Sequence, residues 1–164
     1  MRWRIDGDIP DRPRMVIVVA PHSSNWDFIV GVAAKMAMRL HVQYLGKDTL
    51  FRFPLGIVMR RLGGIPIDRA SANAVVSSVV TQFENRRRML LAIAPEGTRK
   101  PVQRWRSGFY HIARGAGVPI LPVALDWGTR TVRIGALFLP TGDMDADIAE
   151  LRRRFAEARR KDQR

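Results

Sequence analysis

Two short apolar runs, each cut off by a proline, constrain this chain more than any other feature. Met15-Val-Ile-Val-Val-Ala20 ends at Pro21, and Met89-Leu-Leu-Ala-Ile-Ala94 ends at Pro95. Continuous apolar runs of this length read as strands buried on both faces, the kind found in parallel sheets covered by helices on each side. Proline cannot donate to a ladder, so each strand stops there. Polar residues follow both breaks: His22-Ser23-Ser24-Asn25 after the first, Glu96-Gly97-Thr98-Arg99 after the second.

Helical periodicity fills the intervals. Ser23, Ser24 and Asn25 are good N-caps, and Trp26, Phe28, Ile29, Val32, Ala33, Met36 and Leu40 recur at helical spacing behind them. His41 to Leu45 reads as a strand, the segment after Pro54 as a helix, and Gly63 to Arg69 as a turn-rich stretch. Val75, Val76, Val79, Val80 and Phe83 predict a helix within Ala70 to Arg87, and Trp105 to Ala116 predicts another. Strands are expected over Ile120–Asp126 and Thr131–Phe138, then a closing amphipathic helix over 145–160. The alternation predicts an α/β fold, a mixed, largely parallel sheet flanked by helices, in one domain over 1–164 with its motif-bearing core over 15–140. Ligand sites in such sheets lie at the carboxyl ends of strands, where His22 and Glu96 both fall.

A chain of 164 residues that is 46% hydrophobic suffices for one core. It has no cysteine, so any nucleophile or base is something other than sulfur. The N-terminus lacks the apolar stretch of a signal peptide, and no window approaches the ~18 apolar residues needed to span a bilayer, so a soluble or peripheral protein is expected. His22, His41 and His111 are not at ligand spacing, and Asp6, Asp8 and Asp11 lack the rest of a calcium loop, so no bound metal or organic cofactor is expected. The formal charge of +13 predicts attraction to polyanions: nucleic acid, an anionic membrane surface or phosphorylated substrates.

His22-Ser-Ser-Asn-Trp-Asp27 sets a histidine and a carboxylate five positions apart. In a regular helix that separation turns about 500°, so the two meet only if His22 lies in the loop before the helix. The strand end at Pro21 supplies that geometry. A carboxylate accepting from one imidazole nitrogen leaves the other free to take a proton from an attacking hydroxyl. No G-x-S-x-G elbow supplies a serine nucleophile, which disfavours a serine hydrolase; activation of water by His22 is the enzymatic alternative.

Three further segments follow in order: Gly63-Gly-Ile-Pro-Ile-Asp-Arg69, Pro95-Glu-Gly-Thr-Arg99 and Val118-Pro-Ile-Leu-Pro-Val123. Together with His22 to Asp27, and with Lys47, Leu50 and Pro54 between the first two blocks, they resemble the glycerolipid (lysophosphatidate-type) acyltransferase family. The resemblance runs from about Ile17 to Ala124. It implies a fold of the glycerol-3-phosphate acyltransferase type, with His22 as general base assisted by Asp27. Transfer would run from an acyl thioester on coenzyme A or acyl carrier protein to the free hydroxyl of lysophosphatidate or a related lyso-lipid. Arg99, Arg69, Glu96, Gly97 and Thr98 would meet the acceptor phosphate, and Lys47, Pro119 and Pro122 would contact acyl chain or acceptor. Physically, a guanidinium grips phosphate in a bidentate fashion, and a glycine lets backbone approach a ligand. Lys100 departs from the serine of many relatives, which bears on acceptor preference.

Only some fourteen residues precede the first strand, so the long N-terminal helical region of many family members is not expected here. Attachment is instead expected at the inner face of the cell membrane, through basic residues of the closing helix (Arg152, Arg153, Arg154, Arg159, Arg160) and interfacial Trp3, Phe51, Phe53 and Trp105. Two alternatives remain beside lysophosphatidate acylation: a different acceptor such as a lyso-ornithine lipid, and a non-enzymatic basic module for anionic lipid or nucleic acid. Charge spread over several elements, without a recognition-helix or zinc-finger pattern, argues against nucleic acid.

Overall fold

The two proline-terminated runs form neighbouring central strands. The computed structural model describes residues 3–67, 71–158 and 160. In chain order the elements are β1 (Arg4–Asp6), β2 (Arg14–Ala20), α1 (Asn25–Ala37), β3 (Val42–Lys47), a 3-10 turn (Asp48–Phe51), α2 (Leu55–Arg61), β4 (Gly64–Ile67), α3 (Ala72–Glu84), β5 (Met89–Ile93), α4 (Gly108–Gly115), β6 (Ile120–Asp126), β7 (Thr131–Ile134) and α5 (Met144–Arg154). One seven-stranded sheet is ordered β1-β7-β6-β2-β5-β3-β4. Every pairing is parallel except β6 with β7, so the mixed, largely parallel α/β architecture expected from the alternation is observed.

The pleat of β2 sorts the core into two layers. Val16, Val18 and Ala20 face α3, α4 and α5 through Val79, Phe83, Phe109, Ile112 and Leu151. Met15 and Ile17 face the other way, against Val30 and Ala34 of α1 and Leu121 and Leu125 of β6. Burying an aliphatic side chain of this kind contributes about 1.5–3 kcal/mol, so a strand buried on both sides anchors the fold. Helix α2 shares the face of α1: Tyr44 packs edge-on against Phe28 of α1 and donates its hydroxyl to the Met59 carbonyl of α2 at 3.1 Å. Lys35 of α1 reaches the Leu62 carbonyl at 2.6 Å.

The structure corrects several expected boundaries. Gly64–Ile67, read as part of a turn, is strand β4; it pairs only with β3, and an edge strand tolerates Pro66 because one side of its ladder is open. Strand β1 is a second edge, short and exposed, without apolar alternation to announce it. Helix α1 stops at Ala37 because Arg39 turns left-handed, with φ 54°. Helix α4 starts at Gly108, not Trp105, and β7 ends at Ile134, with Phe138 returning only as an isolated bridge to Ile120. Helix α5 ends at Arg154, short of the predicted 160; the N–H groups of Phe155 and Ala156 turn back to the carbonyls of Arg152 and Arg153.

Helix α1 begins with a capping box. The Ser24 hydroxyl accepts the Trp26 N–H, and Asp27 reaches back to the Ser24 N–H at 2.6 Å. Ser24→Ala is expected to cost about 1 kcal/mol and Ser24→Gly only a few tenths. Thermal melts of the two variants beside wild type check this; a Ser24→Ala variant as stable as wild type would mean the hydroxyl does no capping.

Candidate active site

His22 and Glu96 follow strands that pair in register with the same face of the sheet edge. Val18 of β2 lies opposite Ile93 of β5, and Ala20 lies opposite Ala124 of β6. The loops after β2, β5 and β6 therefore converge at one carboxyl edge, as open parallel sheets arrange their ligand sites.

Asp27 is the structural centre of this edge, only 2% exposed. Its Oδ2 accepts the backbone N–H groups of Ser23 at 2.5 Å and Ser24 at 2.6 Å. Its Oδ1 accepts the indole N–H of Trp127, the residue just past β6, at 2.6 Å. His22 Nδ1 stands 3.4 Å from Asp27 Oδ2. That is longer than a normal N–H···O bond of about 2.7–3.2 Å. The imidazole is half-buried, with 26% of its side chain accessible. Burial pulls its pKa below the ordinary 6.5; the Asp27 carboxylate opposes that, and the charges of Arg99 and Arg160 add to it. At neutral pH the ring is therefore a free base.

Glu96 holds the other side of His22. It is 7% exposed, and its Oε2 accepts the His22 backbone N–H at 2.7 Å. Burial pushes this carboxyl up to about 7, against the pull of the His22 N–H and the Arg160 guanidinium, while Asp27 raises it further. Its ion-pair partner is Arg160, 3.6 Å away. Gly97 turns with φ 64°, and a Cβ there would lie 2.6 Å from Arg106 Nε, so the position demands glycine. Thr98, Arg99 and Lys100 are exposed beyond it, and the Thr98 hydroxyl accepts the Lys100 N–H at 3.3 Å.

The other predicted site residues divide. Lys47, exposed at the end of β3, shares the carboxyl edge, since Tyr44 of β3 is level with Ala92 and Ala92 with Ile17. Pro122 is buried within β6, opposite Val18 and packed beneath Gly135. Pro119 lies at the opposite, amino end of β6, where its carbonyl accepts the Val16 N–H at 3.0 Å. The structure thus brings together His22, Asp27, Glu96, Gly97, Thr98, Arg99 and Lys47, and leaves Pro119 at the far edge as a sheet residue. Arg69 lies outside the described residues. Sequence reasoning missed Trp127 and singled out Arg160 only as a membrane contact. Position just beyond a strand's carboxyl end would have flagged the tryptophan; nothing marks Arg160 among 28 lysines and arginines. Among the described residues no cluster of His, Cys, Asp or Glu could hold a metal ion.

A largely parallel sheet thus carries a histidine–aspartate pair and an arginine-bearing loop at one carboxyl edge. The family model described as Acyltransferase matches residues 5–126, and the chain belongs to that family. It is 32% identical over 128 residues to a 1-acyl-sn-glycerol-3-phosphate acyltransferase of Salmonella typhimurium, covering 74% of this chain and 51% of that protein. The Escherichia coli enzyme of the same name is 30% identical over the same coverage. A mouse 1-acyl-sn-glycerol-3-phosphate acyltransferase epsilon is 36% identical over 99 residues, 57% of this chain and 27% of the mouse protein. The chain spans about half the length of the bacterial relatives it matches.

Trp127→Phe removes the indole donor and leaves Asp27 Oδ1 without it in a buried site. A loss of about 1–3 kcal/mol is expected, read by denaturant unfolding; an unchanged midpoint would mean that bond is not made in solution.

Proposed function

We propose that this protein transfers a fatty acyl group from a thioester of coenzyme A or acyl carrier protein to the free hydroxyl of lysophosphatidate or a closely related lyso-lipid. The observation that carries this reading is the half-buried imidazole of His22 beside the fully bonded carboxylate of Asp27. With Nδ1–H directed to Asp27, Nε2 takes the proton of the acceptor hydroxyl as its oxygen attacks the thioester carbonyl. The C–O bond forms, the C–S bond breaks, and the proton passes to the leaving thiolate. No acyl-enzyme intermediate is required. Arg99, exposed and near enough for its charge to act on His22, meets the acceptor phosphate, with Arg69 as a second guanidinium and Gly97, Thr98 and Lys47 beside them. Buried Glu96 accepts the His22 backbone N–H, and in this reading it supports the histidine's loop at the acceptor side. The names of the bacterial relatives support lysophosphatidate as acceptor.

The test is thiol release from long-chain acyl-coenzyme A and acyl carrier protein thioesters, with and without lysophosphatidate. His22→Ala is expected to lose about 10²–10⁴-fold in rate. Arg99→Ala is expected to raise KM for lysophosphatidate about ten- to a hundredfold, the equivalent of one charge-assisted contact of about 1.5–3 kcal/mol. Protonated His22 cannot accept a proton, so activity falls toward acid, and because burial lowers its pKa the limb lies below 6.5. Acyl transfer indifferent to His22 with every lyso-lipid acceptor would overturn the reading in favour of a binding module.

The proposed location is peripheral, at the inner face of the cell membrane. No helix among the described residues is long and apolar enough to cross a bilayer. Support comes from a different surface than the closing helix. Of the four anchors expected from sequence, Trp3 packs on Trp127, Phe51 is buried against Gly46 and Gly64, and Trp105 packs edge-on against Phe109 and Phe155. Phe53 alone of the four is strongly exposed, at 86%. Trp26, Ile29 and Met36 of α1 and Leu55 and Val58 of α2 are also exposed on the two helices that share this face of the sheet, and Arg52, Arg60 and Arg61 are exposed as well. Apolar side chains interleaved with arginine suit an anionic lipid surface. Phe53→Ser with Leu55→Ser is expected to weaken co-sedimentation with phosphatidylglycerol vesicles at least tenfold, from about 1.5–3 kcal/mol of lost burial per side chain. Binding equal to wild type would exclude this face.

A further inference from the structure

Arg160 is the one buried arginine among the described residues, 8% exposed where the other described basic side chains are solvated or partly so. A buried guanidinium is tolerated only where charge and hydrogen bonds meet it. Here its Nη1 lies 3.6 Å from Glu96 Oε1, and its Nη2 donates to the Arg99 carbonyl at 2.5 Å. Glu96 Oε2 in turn accepts the His22 N–H. A continuous path therefore runs from the segment after α5, through Glu96, to the backbone of the histidine.

That segment is directed there by packing. The Ala158 N–H donates to the Phe155 carbonyl, Phe155 sits edge-on to Trp105 at 5.3 Å, and Ala158 packs on the core layer of α3, α4 and α5. Arg160, beyond α5, thus reaches the loop that follows β5.

We infer that Arg160 is a positioning residue for the proposed acyl transfer: its two-point grip on Glu96 and the Arg99 carbonyl sets the Glu96–Arg99 loop that holds the backbone of His22. This rests on the acyl-transfer reading. Four groups act on that histidine or on its support. Asp27 and Glu96 supply carboxyls, and Arg99 and Arg160 supply positive charge at the ring. Asp27 favours the imidazolium, whereas the two arginines disfavour it. Burial is the main restraint on the imidazolium, and taking away Arg160 removes one of the two charges that add to it.

The experiment is an NMR titration of 13C-labelled histidine in wild type, R160Q and R160K, with His22→Ala assigning the signal among the three histidines. In R160Q, which keeps a donor but not the charge, the His22 midpoint moves to higher pH. R160K keeps the charge and holds the wild-type midpoint. In the thiol-release assay R160Q loses activity on the acid side and recovers it on the alkaline side. An unmoved midpoint in R160Q, including one accompanied by a uniform loss of activity at all pH values, overturns the inference and leaves Arg160 a packing residue. Should R160Q not fold, a midpoint displaced in R160K overturns it equally. The titration needs no turnover, so a wild type that transfers no acyl group would defeat the acyl-transfer reading while Arg160's influence on His22 is still decided.

Discussion

The buried carboxylate of Asp27 is the constraint on which the rest of the edge depends. An ionised carboxyl away from water costs several kcal/mol unless donors meet it, and a site that leaves it unmet does not form. The donors come from two places: the loop after β2, through the N–H groups of Ser23 and Ser24, and the indole that follows β6. Those places are brought together only by the pairing of β2 with β6, so the sheet and the carboxylate each require the other. The same group occupies the third position of α1, where a negative charge is favoured by the helix terminus. One side chain thus caps a helix, ties two loops and stands beside His22.

Glu96 is the second carboxyl at this edge, and its surroundings differ. It is met by one backbone N–H and one guanidinium at salt-bridge distance, and it titrates near 7. It therefore changes charge in the range where the histidine is already neutral. The two carboxyls divide the tasks: Asp27 faces the imidazole, and Glu96 faces the backbone that carries it.

The fold was legible where burial wrote a pattern. Met15–Ala20 and Met89–Ala94 announced themselves because a strand covered on both sides must be apolar at every position, and α3 and α5 because one side only is covered. Edge strands carry no such pattern. Arg4–Asp6 is exposed throughout, and Gly64–Ile67 has glycine and proline where alternation would otherwise show. The candidate site was legible where its residues are close in sequence, as His22 and Asp27 are. Trp127, a hundred positions from Asp27, and Arg160, sixty-one from Arg99, meet their partners through tertiary packing alone. Pro119 shows the opposite error: its place in a recurrent block suggested a site, yet the block spans a strand whose amino end points away.

The loop after β5 separates what holds from what greets. Glu96 is buried and bonded and Gly97 has a left-handed conformation that favours glycine, whereas Thr98, Arg99 and Lys100 stand in solvent a residue or two further on. Drift at the outer three positions leaves the scaffold untouched, and drift at the inner two dismantles it. The exposed end of the loop can therefore change side chains without disturbing the buried carboxyl and the turn that support it.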